Sequence, residues 1–141
     1  MTDLLVILGN QLFPIKYIKK IKPNVVFMKE DLGLCTYEKH HKHKIILFLS
    51  AMRSYRDELK RNKINTKYQE LQINSDTYLD SLISFIQTKK IEKITFWDIE
   101  DKWFKDEICK VKKYVKEITM LESPMFLTNK DAFLDMCPAR K

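Results

Sequence analysis

The sequence predicts an α/β fold built on a mostly parallel five-stranded sheet. Two observations carry that reading. Short apolar runs (Leu4 to Leu8, Val25 to Met28, Ile91 to Trp97, Ile118 to Leu121) recur along the chain, and segments of helical periodicity fall between them. The first run stops at Gly9, one of only two glycines, and continues into the carboxamides Asn10 and Gln11. A buried strand that breaks at a glycine and enters a polar stretch is how open α/β sheets build a ligand crevice.

Taken in order, Leu4 to Leu8 is short, apolar on every residue and therefore suited to a strand covered on both faces. Pro14 opens a short helix through Ile21. Lys22-Pro23-Asn24 breaks it, and Val25 to Met28 is a second buried strand. Lys29 to Thr36 reads as a polar loop holding Gly33. Glu38 to Arg61 reads as one long helix. Its wide apolar stripe takes in Ile45, Ile46, Leu47, Phe48, Leu49, Ala51, Met52, Tyr55 and Leu59, and Arg53, Arg56, Asp57, Lys60 and Arg61 mark the wet face. Asn65 to Ile73 carries a weaker strand. Ser75 or Asp76 caps a helix that uses Leu79, Leu82, Ile83, Phe85 and Ile86. Ile91 to Trp97 is the fourth strand and ends at Asp98. Asp101 to Glu117 is helical with Trp103, Phe104, Ile108, Val111 and Val115 inward. Ile118 to Leu121 is the fifth strand, and Thr128 to Met136 is a short capped helix. Right-handed crossovers between such strands imply a Rossmann-like three-layer sandwich, for which we expect the strand order 3-2-1-4-5.

Composition narrows the function. A chain of 141 residues with 45% hydrophobic side chains suits one domain with one core, spanning residues 1–141. The net charge of +7 admits an anionic partner such as nucleic acid. Most of the excess is lysine spread over the whole sequence, which equally describes a solvated surface. Asp3 stands where a signal peptide needs positive charge, and the longest apolar run, from Ile45 on through Met52, is too short to span a bilayer. Cys35, Cys109 and Cys137 are odd in number and widely spaced, as in a reduced cytoplasmic chain. Two glycines exclude glycine-rich phosphate loops, and each is expected where positive φ or close backbone approach requires it.

Three strand ends converge on one predicted crevice: Gly9-Asn10-Gln11, Glu30 to Tyr37, and Trp97-Asp98. Asn10 and Gln11 either read the edge of a heterocycle or close the turn. Glu30 and Asp98 either accept hydrogen bonds from a ligand or cap a helix. All three histidines, His40, His41 and His43, lie among Lys39, Lys42 and Lys44 at a helix entry, where positive charge opposes the helix dipole. His40 and His43 stand one turn apart, but no carboxylate set at matching spacing accompanies them, so no metal site is expected. Cys35 beside the crevice is either a thiol nucleophile or a small buried side chain. Trp97 and Trp103 read as packing residues. No acid–base pair or nucleophile constellation is legible.

Several of these stretches resemble the N-terminal domain of cryptochrome/photolyase-related proteins, the bacterial iron–sulfur group that includes prokaryotic (6-4) photolyases. The matching pieces are Ile7-Leu8-Gly9-Asn10-Gln11-Leu12, Glu30, Tyr37 with His40-His41-Lys42-His43-Lys44, and Ser50-Ala51-Met52-Arg53. Phe126-Leu127-Thr128, Phe133 and Arg140-Lys141 also match, while residues 62–96 match only in layout. The resemblance implies an α/β antenna domain that holds a lumazine such as 6,7-dimethyl-8-ribityllumazine. It implies a chromophore site of Gly9, Asn10, Gln11, Leu12, Glu30, Leu34, Tyr37, His40, His41, Lys44 and Asp98. FAD, a 4Fe-4S cluster and the DNA-binding surface belong in that family to a helical domain absent from these residues. That domain is the implied partner, in cis or as a separate chain, and DNA is reached only through it. The chain departs from the family pattern in three places. Asn10 stands where an aspartate is usual, Leu34 where an acidic residue is frequent, and Ile99-Glu100 where Pro-Gly is usual. Two acceptors for ring or ribityl groups are thereby removed. The alternatives are a docking domain with an empty pocket and a basic nucleic-acid-binding module.

Overall fold

The side chains of the central strands point alternately to the two faces of one sheet. That alternation sets the architecture of the computed structural model, which describes residues 2–73 and 76–137. The strands are β1 (Asp3–Val6), β2 (Val25–Lys29), β3 (Thr66–Gln69), β4 (Lys93–Trp97) and β5 (Glu117–Leu121). The helices are α1 (Ile15–Ile21), α2 (Leu32–Thr36), α3 (Lys42–Arg61), α4 (Tyr78–Lys89), α5 (Lys102–Cys109) and α6 (Lys130–Met136). The sheet has the order β3-β2-β1-β4-β5, and all four pairings are parallel. Central β1 pairs Leu4 with Val25 on one side and with Ile94 on the other.

Leu4, Val6 and Leu8, with Val25, Phe27, Ile94 and Phe96, face α4 and α5 and pack on Tyr78, Leu82, Ile86, Phe104 and Ile108. Leu5 and Ile7, with Val26, Met28 and Trp97, face α1 and α3 and pack on Ile15, Ile18, Met52, Tyr55 and Leu59. Each of these large side chains contributes about 1.5–3 kcal/mol on burial. This is the α/β sandwich and strand order that the sequence implied.

Several local readings are corrected. Residues 32–36 form α2 rather than a loop, because the Asp31 carboxylate accepts the Gly33 amide and starts a turn. Helix α3 begins at Lys42, not Glu38: His41 is extended and its Nδ1 accepts the His43 amide at 3.2 Å. Within α3, Ile46, Leu47 and Ala51 point outward, since a face that buries Met52, Tyr55 and Leu59 turns them away. Arg53 lies on the wet face as expected, and from there it is also ion-paired to Glu30. Helix α5 tightens into a 3₁₀ turn at Lys110–Lys113 instead of reaching Glu117, and Trp103 is exposed. Of the two expected caps of α4, Ser75 lies outside the described residues and Asp76 does not cap; Thr77 does, its hydroxyl accepting the Asp80 amide. Neither glycine adopts positive φ; Lys22, Lys63 and Lys90 do instead. Lys22 and Lys90 close α1 and α4 in the left-handed conformation that glycine usually takes.

Candidate functional site

Strand order reverses at β1, whose neighbours β2 and β4 are reached by crossovers on opposite faces of the sheet. Open α/β sheets part their loops beyond the strand ends at this place. A cleft of about 360 Å³ lies here. Its floor is Leu8, Gly9 and Asn10, from the end of β1. One wall is Ile45 and Phe48 of α3, with Lys44 at the helix entry. The other is Ile99, Glu100, Asp101 and Phe104, after β4 and at the start of α5. Cys35 of α2, with Tyr37 and His40 of the α2–α3 connection, completes it.

Gly9 permits this geometry. A Cβ placed there would stand 2.6 Å from Phe48 Cε1 and Cζ and 2.8 Å from Met52 Sδ. The expected close approach is therefore real, and it is made by α3 side chains. The Tyr55 hydroxyl, donating to the Phe13 carbonyl, fastens the same helix to the loop after β1.

The structure brings Gly9, Asn10, Tyr37, His40 and Lys44 together around the cleft. Five other residues of the implied site are engaged elsewhere. Glu30 is fully buried, and its carboxylate accepts Arg53 Nε at 2.7 Å, Arg53 Nη2 at 3.0 Å, the Tyr68 hydroxyl at 2.6 Å and the Leu71 amide at 2.7 Å. Burial alone would raise its pKa. The hydrogen bonds from Arg53, Tyr68 and Leu71, with the Arg53 charge, overcome that and hold it below the usual carboxylate value. Gln11 is also fully buried; its Nε2 donates to the Asp98 carbonyl at 2.8 Å and joins the ends of β1 and β4. Asp98 accepts the Ile99 amide and Lys105 Nζ. Leu12 packs against the α1/α3 core. His41 caps α3. The side chain of Leu34 lies outside the described residues.

Sequence reasoning missed Leu8, Ile45, Phe48, Ile99, Glu100, Asp101 and Phe104 as cleft residues. Ile99 to Asp101 directly follow a named strand end, so the topology contained that signal. Reading Phe48 as a cleft residue requires the phase of α3. Lys29 was also missed. It is almost fully buried, donating to the Asp76 carbonyl at 2.6 Å and Ser81 Oγ at 2.7 Å, and so ties the end of β2 to the start of α4. Burial lowers its pKa against the pull of Asp31, Asp76 and Asp80.

Cys35 is half-buried beside the cleft, and burial pushes its thiol pKa up, which leaves it a poor nucleophile at neutral pH. Among the described residues no group of three or more His, Cys, Asp or Glu side chains stands so as to hold a metal ion. None of the described helices is long and apolar enough to cross a membrane.

Fold and cleft together define an α/β domain with a cleft at its topological switch point. Within that class, the family model of deoxyribodipyrimidine photo-lyase-related proteins matches residues 5–141, and the chain belongs to that family. No curated protein matches the chain.

Proposed function

We propose that this chain is the antenna-chromophore domain of a photolyase/cryptochrome-like flavoprotein and is not catalytic alone. The observation that carries the reading is the cleft at the ends of β1 and β4, which combines apolar and aromatic walls with a few polar groups. Phe48 and Phe104 offer ring faces or edges to a flat heterocycle, and Tyr37 closes the α2 side. Asn10, exposed after β1, presents a carboxamide that both donates and accepts. A lumazine such as 6,7-dimethyl-8-ribityllumazine is of suitable size and polarity. Excited there, it passes energy to FAD in a helical partner domain, in cis or as a separate chain. That partner would also carry the iron–sulfur cluster and the contact with DNA, in light-dependent repair or blue-light sensing.

A docking role has its own support. Helix α6 buries none of its residues, and Phe126, Phe133, Leu134 and Met136 are largely exposed around it. Such a surface suits packing against a helical partner. The two readings separate in a fluorescence titration with 6,7-dimethyl-8-ribityllumazine, with FMN and a deazaflavin as controls. Saturable, selective binding in the micromolar range, about −8 kcal/mol, supports the antenna role. No binding by any of the three favours the docking role, with the pocket vacant or used for another ligand.

A further inference from the structure

The cleft is electrically lopsided. On its α3 side the entry segment runs Lys39-His40-His41-Lys42-His43-Lys44, and the first turn of α3 contains no acidic residue. Lys39, Lys42 and Lys44 take part in no ion pair among the described residues. His40 and Lys44 line the cleft itself. The α5 side is opposite in sign: Glu100 and Asp101 line it, and Asp101 Oδ1 accepts the Phe104 amide at 3.1 Å. Between the two rims the walls are apolar. Like charges gathered at the positive end of a 20-residue helix oppose its dipole, so this arrangement works against the stability of α3 in the free chain. An anion placed between them and the cleft removes that conflict.

We propose that the cleft takes a heteroaromatic ligand bearing a phosphate, with the phosphate against Lys44 and His40 and the ring between Phe48 and Phe104. The inference rests on the cleft being a heterocycle site, as proposed above. The acidic rim at Glu100 and Asp101 then fixes polarity: a phosphate directed toward α5 meets two carboxylates, so the ligand enters in one orientation. Lys44 and His40 act as specificity residues, selecting phosphorylated over unphosphorylated forms of one ring system, so that a ribityllumazine binds more weakly than its phosphate ester.

Riboflavin and FMN differ only by a phosphate and are the probes. The ¹⁵N-labelled chain is titrated with each, and with inorganic phosphate, while the amides of Gly9, Asn10, Lys42 and Lys44 are followed. At low salt FMN should saturate all four at a concentration at least tenfold below riboflavin, and added salt should narrow the gap. Lys44→Gln should abolish the preference. Lys112→Gln, which removes the same charge from an exposed site away from the cleft, should keep it. Equal affinity for the two flavins, or equal loss in both variants, overturns the phosphate subsite and leaves the heterocycle reading standing. Phosphate shifting Lys42 and Lys44 while neither flavin binds overturns the proposal, because the basic rim then takes an anion without a ring. No shift with any probe overturns the phosphate subsite, and the lumazine titration decides the heterocycle reading separately.

Discussion

Gly9→Ala tests how α3 and the cleft depend on each other. The added methyl would sit 2.6 Å from two ring carbons of Phe48 and 2.8 Å from Met52 Sδ, inside van der Waals contact with both. Gly9 has no positive φ, so backbone strain adds nothing and the cost is steric. Met52 is only 1% exposed and has nowhere to go without moving α3. Phe48 is half-buried and can turn, but its way out leads into the cleft it lines. Overpacking of this kind costs about 1–3 kcal/mol. At about 4 °C per kcal/mol for a domain near this size, Tm should fall by roughly 4–12 °C. The assay is thermal and urea unfolding of Gly9→Ala, Phe48→Ala and the double variant. If the contact is real, the double variant should lose less than the sum of the singles, with a coupling of about 0.5–3 kcal/mol. A Gly9→Ala protein within about 0.5 kcal/mol of wild type, with additive doubles, would refute the close packing of α3 on the segment after β1.

Three further variants have expected outcomes. Glu30→Gln should cost about 2–4 kcal/mol, because an amide cannot accept from Arg53, Tyr68 and Leu71 together. The folded-state pKa of Glu30 lies below its ordinary value of 4.5, so its contribution is present above pH 4.5 and is lost as pH falls through the folded value. Urea midpoints at pH 7 and pH 3 should therefore differ less in Glu30→Gln than in wild type. Lys90→Gly, at a left-handed cap with φ 52°, should stabilise the fold by about 0.5–1 kcal/mol, visible as a raised urea midpoint with unchanged slope. Asn10→Leu with Tyr37→Ala should weaken lumazine binding at least tenfold in the fluorescence titration; unchanged affinity would remove both from the site.

Much of the fold was legible because it rests on signals within a few residues. Apolar runs ending at Gly9 or Asp98 mark buried strands, and right-handed crossovers leave few orders for five of them. What escaped was set by tertiary partners. The apolar run from Ile45 to Leu49 is longer than one helix face, so pattern alone could not tell that Ile46 and Leu47 point outward while Met52 points in. The start of α3 was hidden because histidine is an uncommon cap. The sharpest case is Glu30, an acid at a strand end. Its partners Arg53 and Tyr68 lie 23 and 38 residues away on other elements, so nothing nearby in sequence distinguishes a ligand-reading carboxylate from a structural one.

That difference bears on how the cleft can recognise anything. Glu30, Gln11 and Asp98 all stand at strand ends, where a ligand would meet them. Each is tied instead into the loops that frame the cleft: β2 to α3 and β3 through Glu30, β1 to β4 through Gln11, and β4 to α5 through Asp98 and Lys105. Their hydrogen bonds hold the rim without a ligand and so reduce the ordering cost of binding. They also leave Asn10 as the polar side chain that the end of β1 presents to the cleft. A neutral amide there accepts less strongly than a carboxylate would, so orientation must draw more on shape and on the opposed charges of the two rims. The cleft should accordingly discriminate weakly among flat ring systems of similar size and strongly among their charged substituents.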